Sequence, residues 1–275
     1  MKDMHYVLEN FFTHKDYLAP AAEIPGTMFT PLHFLFMAFL LTLIFSTAFY
    51  ISRHREKLKP VLCGVWLLMV LWEIAIVYYD STAGRNPGFD WKTSLSLYPC
   101  SLYLYTMPLI LWGRGTVKQA CCGYLCTLGL LGALVNLMFP VTRLFQYSCI
   151  SFAGLHTLCF HGSMFFSYLC IMLSGYHSYD CAVSWTGLIL PSVPSLLLSI
   201  PANFINYTIG SDYMYFTGQF PVVAKIFGNT KPILITAILY MLYIIVPSLF
   251  YLHGYLQNRR AEEEDPISLF SANYI

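Results

Sequence analysis

Hydrophobic residues in this chain come in long runs, not in the short alternations of a soluble fold. Seven stretches are apolar: about 31–52, 61–79, 95–112, 119–139, 155–173, 182–204 and 232–252. Each approaches the ~20 residues a helix needs to cross the hydrocarbon of a bilayer. The separators are short and carry the charges or the Gly, Pro and Asn turn signals. The pattern predicts an all-α membrane protein, a bundle of seven transmembrane helices. It divides the chain into an interfacial N-terminal segment (1–29), a membrane domain (30–254) and a charged C-terminal tail (255–275). Tyr6-Val7-Leu8 and Phe11-Phe12 are apolar anchors among the charges of the first segment.

Composition agrees. Only 11% of the 275 residues are charged and 57% are hydrophobic, whereas a soluble domain carries roughly 25% charged residues. So few charges cannot cover a water-facing surface, which excludes a soluble globular enzyme. The same numbers exclude disorder. A formal net charge of +1 leaves no footprint for nucleic acid. The nine cysteines are odd in number and lie mostly inside apolar runs, so they predict buried small hydrophobes, not a disulfide framework.

Basic residues set the expected orientation. Arg53, Arg55, Lys57 and Lys59 crowd the first hairpin. This places the hairpin and the C-terminus in the cytoplasm and the N-terminus outside, in a multi-pass protein of the plasma membrane or an endomembrane.

Polar residues inside the spans are expensive, so each asks for a reason. Following the alternating directions, Glu73, Cys100 and His161 all fall roughly 8–9 Å below the same rim at 1.5 Å per residue. Asn136, Asn203 and His33 lie close to that layer. Trp66, Glu73 and Asp80 share one face of span two, and Gly129, Gly132 and Asn136 share a face of span four that permits close backbone approach. The layer predicts a polar cavity open to one leaflet, with Glu73 paired to His33 or His161.

The candidate chemistry is a thiol and an imidazole. Cys100 follows Pro99, which breaks a backbone bond and opens donors beside the sulfur. A histidine that takes the thiol proton makes it a nucleophile. His156 and His161 are five residues apart, about 140° around a helix, so one metal cannot take both. Serine-hydrolase, nucleotide and zinc motifs are absent from the sequence. No metal and no soluble cofactor are expected.

Three segments together resemble the YwaF-like integral membrane family. They are Leu95-Ser96-Leu97-Tyr98-Pro99-Cys100, Phe160-His161-Gly162, and Asn206-Tyr207-Thr208-Ile209-Gly210-Ser211-Asp212-Tyr213-Met214. Phe29-Thr30-Pro31-Leu32-His33 is similar to the family's entry to span one, and the order fits from Pro31 to Tyr251. A eukaryotic branch of that family, similar to transmembrane protein 164, is described as a lipid acyltransferase using a Cys and a His. The resemblance implies Cys100 as nucleophile and His161 as base. Tyr98 stands where the family has His, Ser96 where it has Pro, and Asp212 where it has Asn.

The expectation is a membrane phospholipid acyltransferase or acyl-ester hydrolase, acting on phospholipid or lysophospholipid near the outer leaflet. Glu73, Tyr98, Asn136, Asn203, Asn206, Asp212 and His33 are the expected substrate-binding residues. The alternative is a non-enzymatic transporter or lipid-binding protein with Glu73 as its proton or cation site.

Overall fold

The computed structural model describes residues 2–140, 143–179 and 184–264. The last part of the expected tail, 265–275, lies outside the described residues. The helices are α1 Lys2–Glu9, α2 Pro31–Arg53, α3 Arg55–Thr82, α4 Leu102–Trp112, α5 Gly115–Met138, α6 Phe152–Leu173, α7 Trp185–Ile209, α8 Pro221–Phe227 and α9 Pro232–Glu264. Among the described residues there is no strand.

Six helices, α2, α3, α5, α6, α7 and α9, are long and apolar enough to cross a membrane. The third expected span differs. Helix α4 has 11 residues, and 95–101 ahead of it run as turns and bends. Pro99 accounts for the break, because it has no N–H to give and its ring pushes Tyr98 away from helical angles. Pro108 inside α4 frees a second backbone group, the Leu104 carbonyl four residues earlier. The indole N–H of Trp66 donates to that carbonyl at 2.9 Å.

Local signals start the other helices. The Thr30 hydroxyl accepts the His33 N–H with Pro31 at the first helical position, and the Ser151 hydroxyl accepts the Gly154 N–H ahead of α6. The expected separator over 53–60 is almost entirely helical, since α3 begins at Arg55. Arg53 closes α2 and the remaining charges ride on the first turns of α3, and the cationic groups of Arg53 and Lys57 lie over the rings of Phe49 and Tyr50. Helix α9 likewise continues past residue 252 into the Ala-Glu-Glu-Glu run, whose residues favour a helix.

Helix α6 is the centre of the bundle and packs against α2, α3 and α5. Protein covers 61% of its most apolar stretch, against 28% for α2 and 17% for α3, so the latter two face lipid along much of their length. Gly162 permits a close crossing with α2: a Cβ there would lie 3.3 Å from Ile44 Cδ1. The N-terminal segment packs onto one end of this core. Phe11 and Phe12 lie against Phe152, and the Gly26 carbonyl accepts the Cys149 N–H.

Candidate functional site

The face of α3 that carries Trp66, Glu73 and Asp80 organises the interior polar groups. A spacing of seven residues sets successive layers ~10 Å apart along the helix. In the outer layer, Arg143 donates to both carboxylate oxygens of Asp80, at 3.1 and 2.6 Å. In the middle layer, the Ser96 hydroxyl donates to Glu73 Oε1 at 2.9 Å, and His156 Nε2 lies 3.0 Å from Glu73 Oε2. The histidine contact is close in distance but not aligned as a hydrogen bond, and His156 Nδ1 is buried without a hydrogen-bond partner. The Glu73 partner is thus His156, in place of the expected His33 or His161. His33 instead accepts the Phe29 N–H at its own helix start.

A cavity of about 500 Å³ runs along these layers. Its mouth is lined by His14, Lys15, Asp16, Asp90 and Arg143, and its inner part by Tyr98, Cys100, Asn136 and His161. Cys100, half-buried, lies directly after the Pro99 break. The Asn136 amide nitrogen is 3.8 Å from the Cys100 sulfur and also donates to the Gly132 carbonyl at 3.0 Å. Gly132 makes room for that sulfur, because a Cβ there would lie 3.1 Å from it.

His161 is buried on α6, and its Nδ1 is 2.8 Å from the Thr157 carbonyl. A carbonyl can only accept, so Nδ1 carries the proton in the neutral ring and Nε2 keeps its lone pair. That tautomer is the one a general base needs. Among the described residues, no group of three or more His, Cys, Asp or Glu side chains is placed to hold a metal ion.

Non-helical backbone at this depth persists only where protein satisfies it. Tyrosines do so here. Tyr124 donates to the Pro99 carbonyl at 2.6 Å, Tyr105 donates to the Ser96 carbonyl at 3.1 Å, and Tyr213 accepts the Leu95 N–H while donating to the Trp91 carbonyl. Tyr213 arrives from the loop after α7, which leaves the helix at Gly210 with φ +68°. Asn206 accepts from Ser211 and from the Tyr213 N–H and donates to the Tyr213 carbonyl. Asp212 accepts from Thr217 and the Phe220 N–H. Met214 and Tyr215 hold φ of +58° and +61°, strained values for residues with a Cβ, where the loop turns Tyr215 toward the cavity.

Of the expected site residues, the cavity gathers Glu73, Tyr98, Cys100, Asn136 and His161. Asn206 and Asp212 engage their side chains in the loop, Asn203 donates to Tyr240, and His33 is held at the start of α2. Tyr98 lies against the rings of Tyr213 and Tyr215. Sequence reasoning weighed His156 only as a metal ligand and did not single out Arg143 as a site residue. The signal for His156 is the stripe Phe152, His156, Phe160 at helical spacing, which packs Phe152 and His156 on Trp72 of α3. Arg143 sits in a separator, where nothing local marks it as the partner of Asp80.

Neither a curated protein nor a solved structure matches the chain. A family model described as the TMEM164 family matches residues 28–252, which span α2 through most of α9 and include every residue of the inner cavity. The chain is a multi-pass membrane protein, and it belongs to the TMEM164 family.

Proposed function

We propose that the protein is a membrane-embedded phospholipid acyltransferase or acyl-ester hydrolase that uses Cys100 and His161. The observation that carries the reading is that both side chains line one cavity, with His161 in the base-competent tautomer and an amide donor, Asn136, beside the sulfur. His161 Nε2 takes the thiol proton as sulfur attacks the acyl carbonyl. Asn136 and backbone N–H groups around Pro99 stabilise the oxyanion. The ester C–O bond breaks, and the same proton passes to the departing lysophospholipid oxygen. A hydroxyl of a second lysophospholipid, or water, then gives its proton to His161, attacks the thioester and expels the thiolate.

The bundle in this reading has seven crossings, with α4 and the 95–101 segment together forming the third. The 53–60 hairpin faces the cytoplasm and the cavity opens toward the outer leaflet or lumen. Labelling of a cysteine introduced into that hairpin tests the orientation; modification from outside intact cells contradicts it.

The Glu73–His156 contact favours a second reading, a transporter or lipid-binding protein with a proton site at Glu73. Purified protein in a defined bilayer, given a labelled phospholipid and a lysophospholipid acceptor, separates the two. The first reading predicts acyl transfer that Cys100→Ala abolishes. Full turnover by Cys100→Ala, or no turnover by the wild type across several donors, contradicts it.

A further inference from the structure

Glu73 lines two cavities. One is the polar site; the other, of about 550 Å³, lies on the outer side of the bundle between α3 and α4. Trp66, Val70 and Ile74 form one wall, and Leu104, Pro108 and Leu109 form the other. From Trp66 to Ile74 the groove follows ~12 Å of helix. The α3 wall belongs to a helix long and apolar enough to cross a membrane, the α4 wall to a shorter apolar helix, and Ile74 and Leu109 are 62% and 43% exposed. In a bilayer, an exposed apolar groove along such a helix borders hydrocarbon, whose constituents are acyl chains.

On the Ser96 side, the wall between groove and polar cavity is not helical. Helix α4 begins only at Leu102, so the Ser96 region is loop. What closes it is a pair of side-chain bonds: Ser96 Oγ to Glu73 Oε1 at 2.9 Å, and Tyr105 Oη to the Ser96 carbonyl at 3.1 Å. Each bond is made by a rotatable side chain. At the far end of the groove, Trp66 is tied to the Leu104 carbonyl and fixes the floor.

We infer that this α3–α4 groove holds an acyl chain of a bilayer phospholipid, and that the Ser96–Glu73 bond is the partition past which the chain's ester end reaches the polar cavity. The catalytic consequence rests on the proposed acyl chemistry, but occupancy of the groove does not. An apolar trough continuous with a polar pocket suits an amphiphile that enters from the side of the membrane. It gives a two-part site, with the chain held outside the bundle and the ester held inside.

The test is photolabelling in vesicles containing a phospholipid with a diazirine at mid-chain. Wild-type protein and Cys100→Ala are irradiated and the labelled residues mapped. The groove predicts label concentrated on Val70, Ile74 and the 104–109 stretch, several-fold above Leu67 and Leu71, lipid-facing residues of α3 that do not line it. Val70→Trp, which fills the trough, lowers that label several-fold, while Leu71→Trp leaves it unchanged. Label spread evenly over all lipid-facing helices in the wild type overturns the inference, whatever the variants do. Groove label in both proteins without any turnover keeps the groove and rejects the acyl chemistry. Turnover with evenly spread label does the reverse.

Discussion

Glu73 of α3 and His156 of α6 meet 3.0 Å apart, two helical turns inward of the Asp80–Arg143 pair. The same carboxylate accepts the Ser96 hydroxyl, so one side chain joins α3, α6 and the broken segment ahead of α4. Replacing Glu73 with Leu strands both partners, and leaving buried polar groups unsatisfied costs about 1–3 kcal/mol. Glu73→Gln keeps an acceptor oxygen for Ser96 and loses less. Thermal unfolding in detergent should therefore rank wild type above Gln and Gln above Leu. A Glu73→Leu variant as stable as wild type contradicts the pairing.

Tyr124 supports Cys100 through the backbone. Its hydroxyl is 2.6 Å from the Pro99 carbonyl, on the peptide bond that leads into the cysteine. Tyr124→Phe removes only the oxygen and leaves that carbonyl without its donor, at a cost of about 1–3 kcal/mol. A lower unfolding temperature and faster thiol labelling of Cys100 are expected. Unchanged values for both show that the carbonyl finds another donor.

Gly132 sets the space behind the thiol. A Cβ at this position lies 3.1 Å from the sulfur, closer than ordinary carbon contacts. Gly132→Ala should displace Cys100 from Asn136 at an overpacking cost of about 1–3 kcal/mol. The expected result is lower turnover with the protein still folded, read by parallel activity and unfolding measurements.

Asp16 ties the N-terminal segment over the cavity mouth. The Arg85 backbone N–H donates to its carboxylate at 3.0 Å and holds the carboxyl below the usual range. A depressed folded-state value contributes stability that is complete above the unfolded value of ~3.9 and is lost as pH falls through the folded value. Protection of the Arg85 amide from hydrogen exchange should therefore hold at neutral pH and fall in strong acid. Asp16→Asn should reduce it at neutral pH.

Much of the frame was legible from spacing. Six of the expected crossings appear as long helices, and Trp66, Glu73 and Asp80 each make an interior polar contact from the face their heptad spacing predicts. The depth argument set Glu73, Cys100 and His161 in one layer, and all three line one cavity, although for Cys100 the helical rise does not apply because 95–101 runs as turns and bends. It could not choose the partner of Glu73, since that choice depends on rotation about α6 and favours His156. Nor could it see that Asn206 and Asp212 build a loop: those contacts join residues through a turn with positive φ at Met214 and Tyr215, which has no periodic signature. The length of the third helix was overread because hydropathy continues through Leu95, Leu97 and Tyr98 while Pro99 ends the helical backbone.

The central claim is a covalent intermediate on Cys100. The direct measurement is intact-mass and peptide mass spectrometry of protein quenched in acid after brief exposure to a phospholipid donor without acceptor. The account predicts an added acyl mass on the peptide carrying Cys100, released by neutral hydroxylamine as a thioester, and absent from Cys100→Ala. It should be strongly reduced in His161→Ala, because the two residues act as one unit. An acyl adduct on another residue, or turnover of the donor with Cys100 unmodified at every time point, contradicts the account.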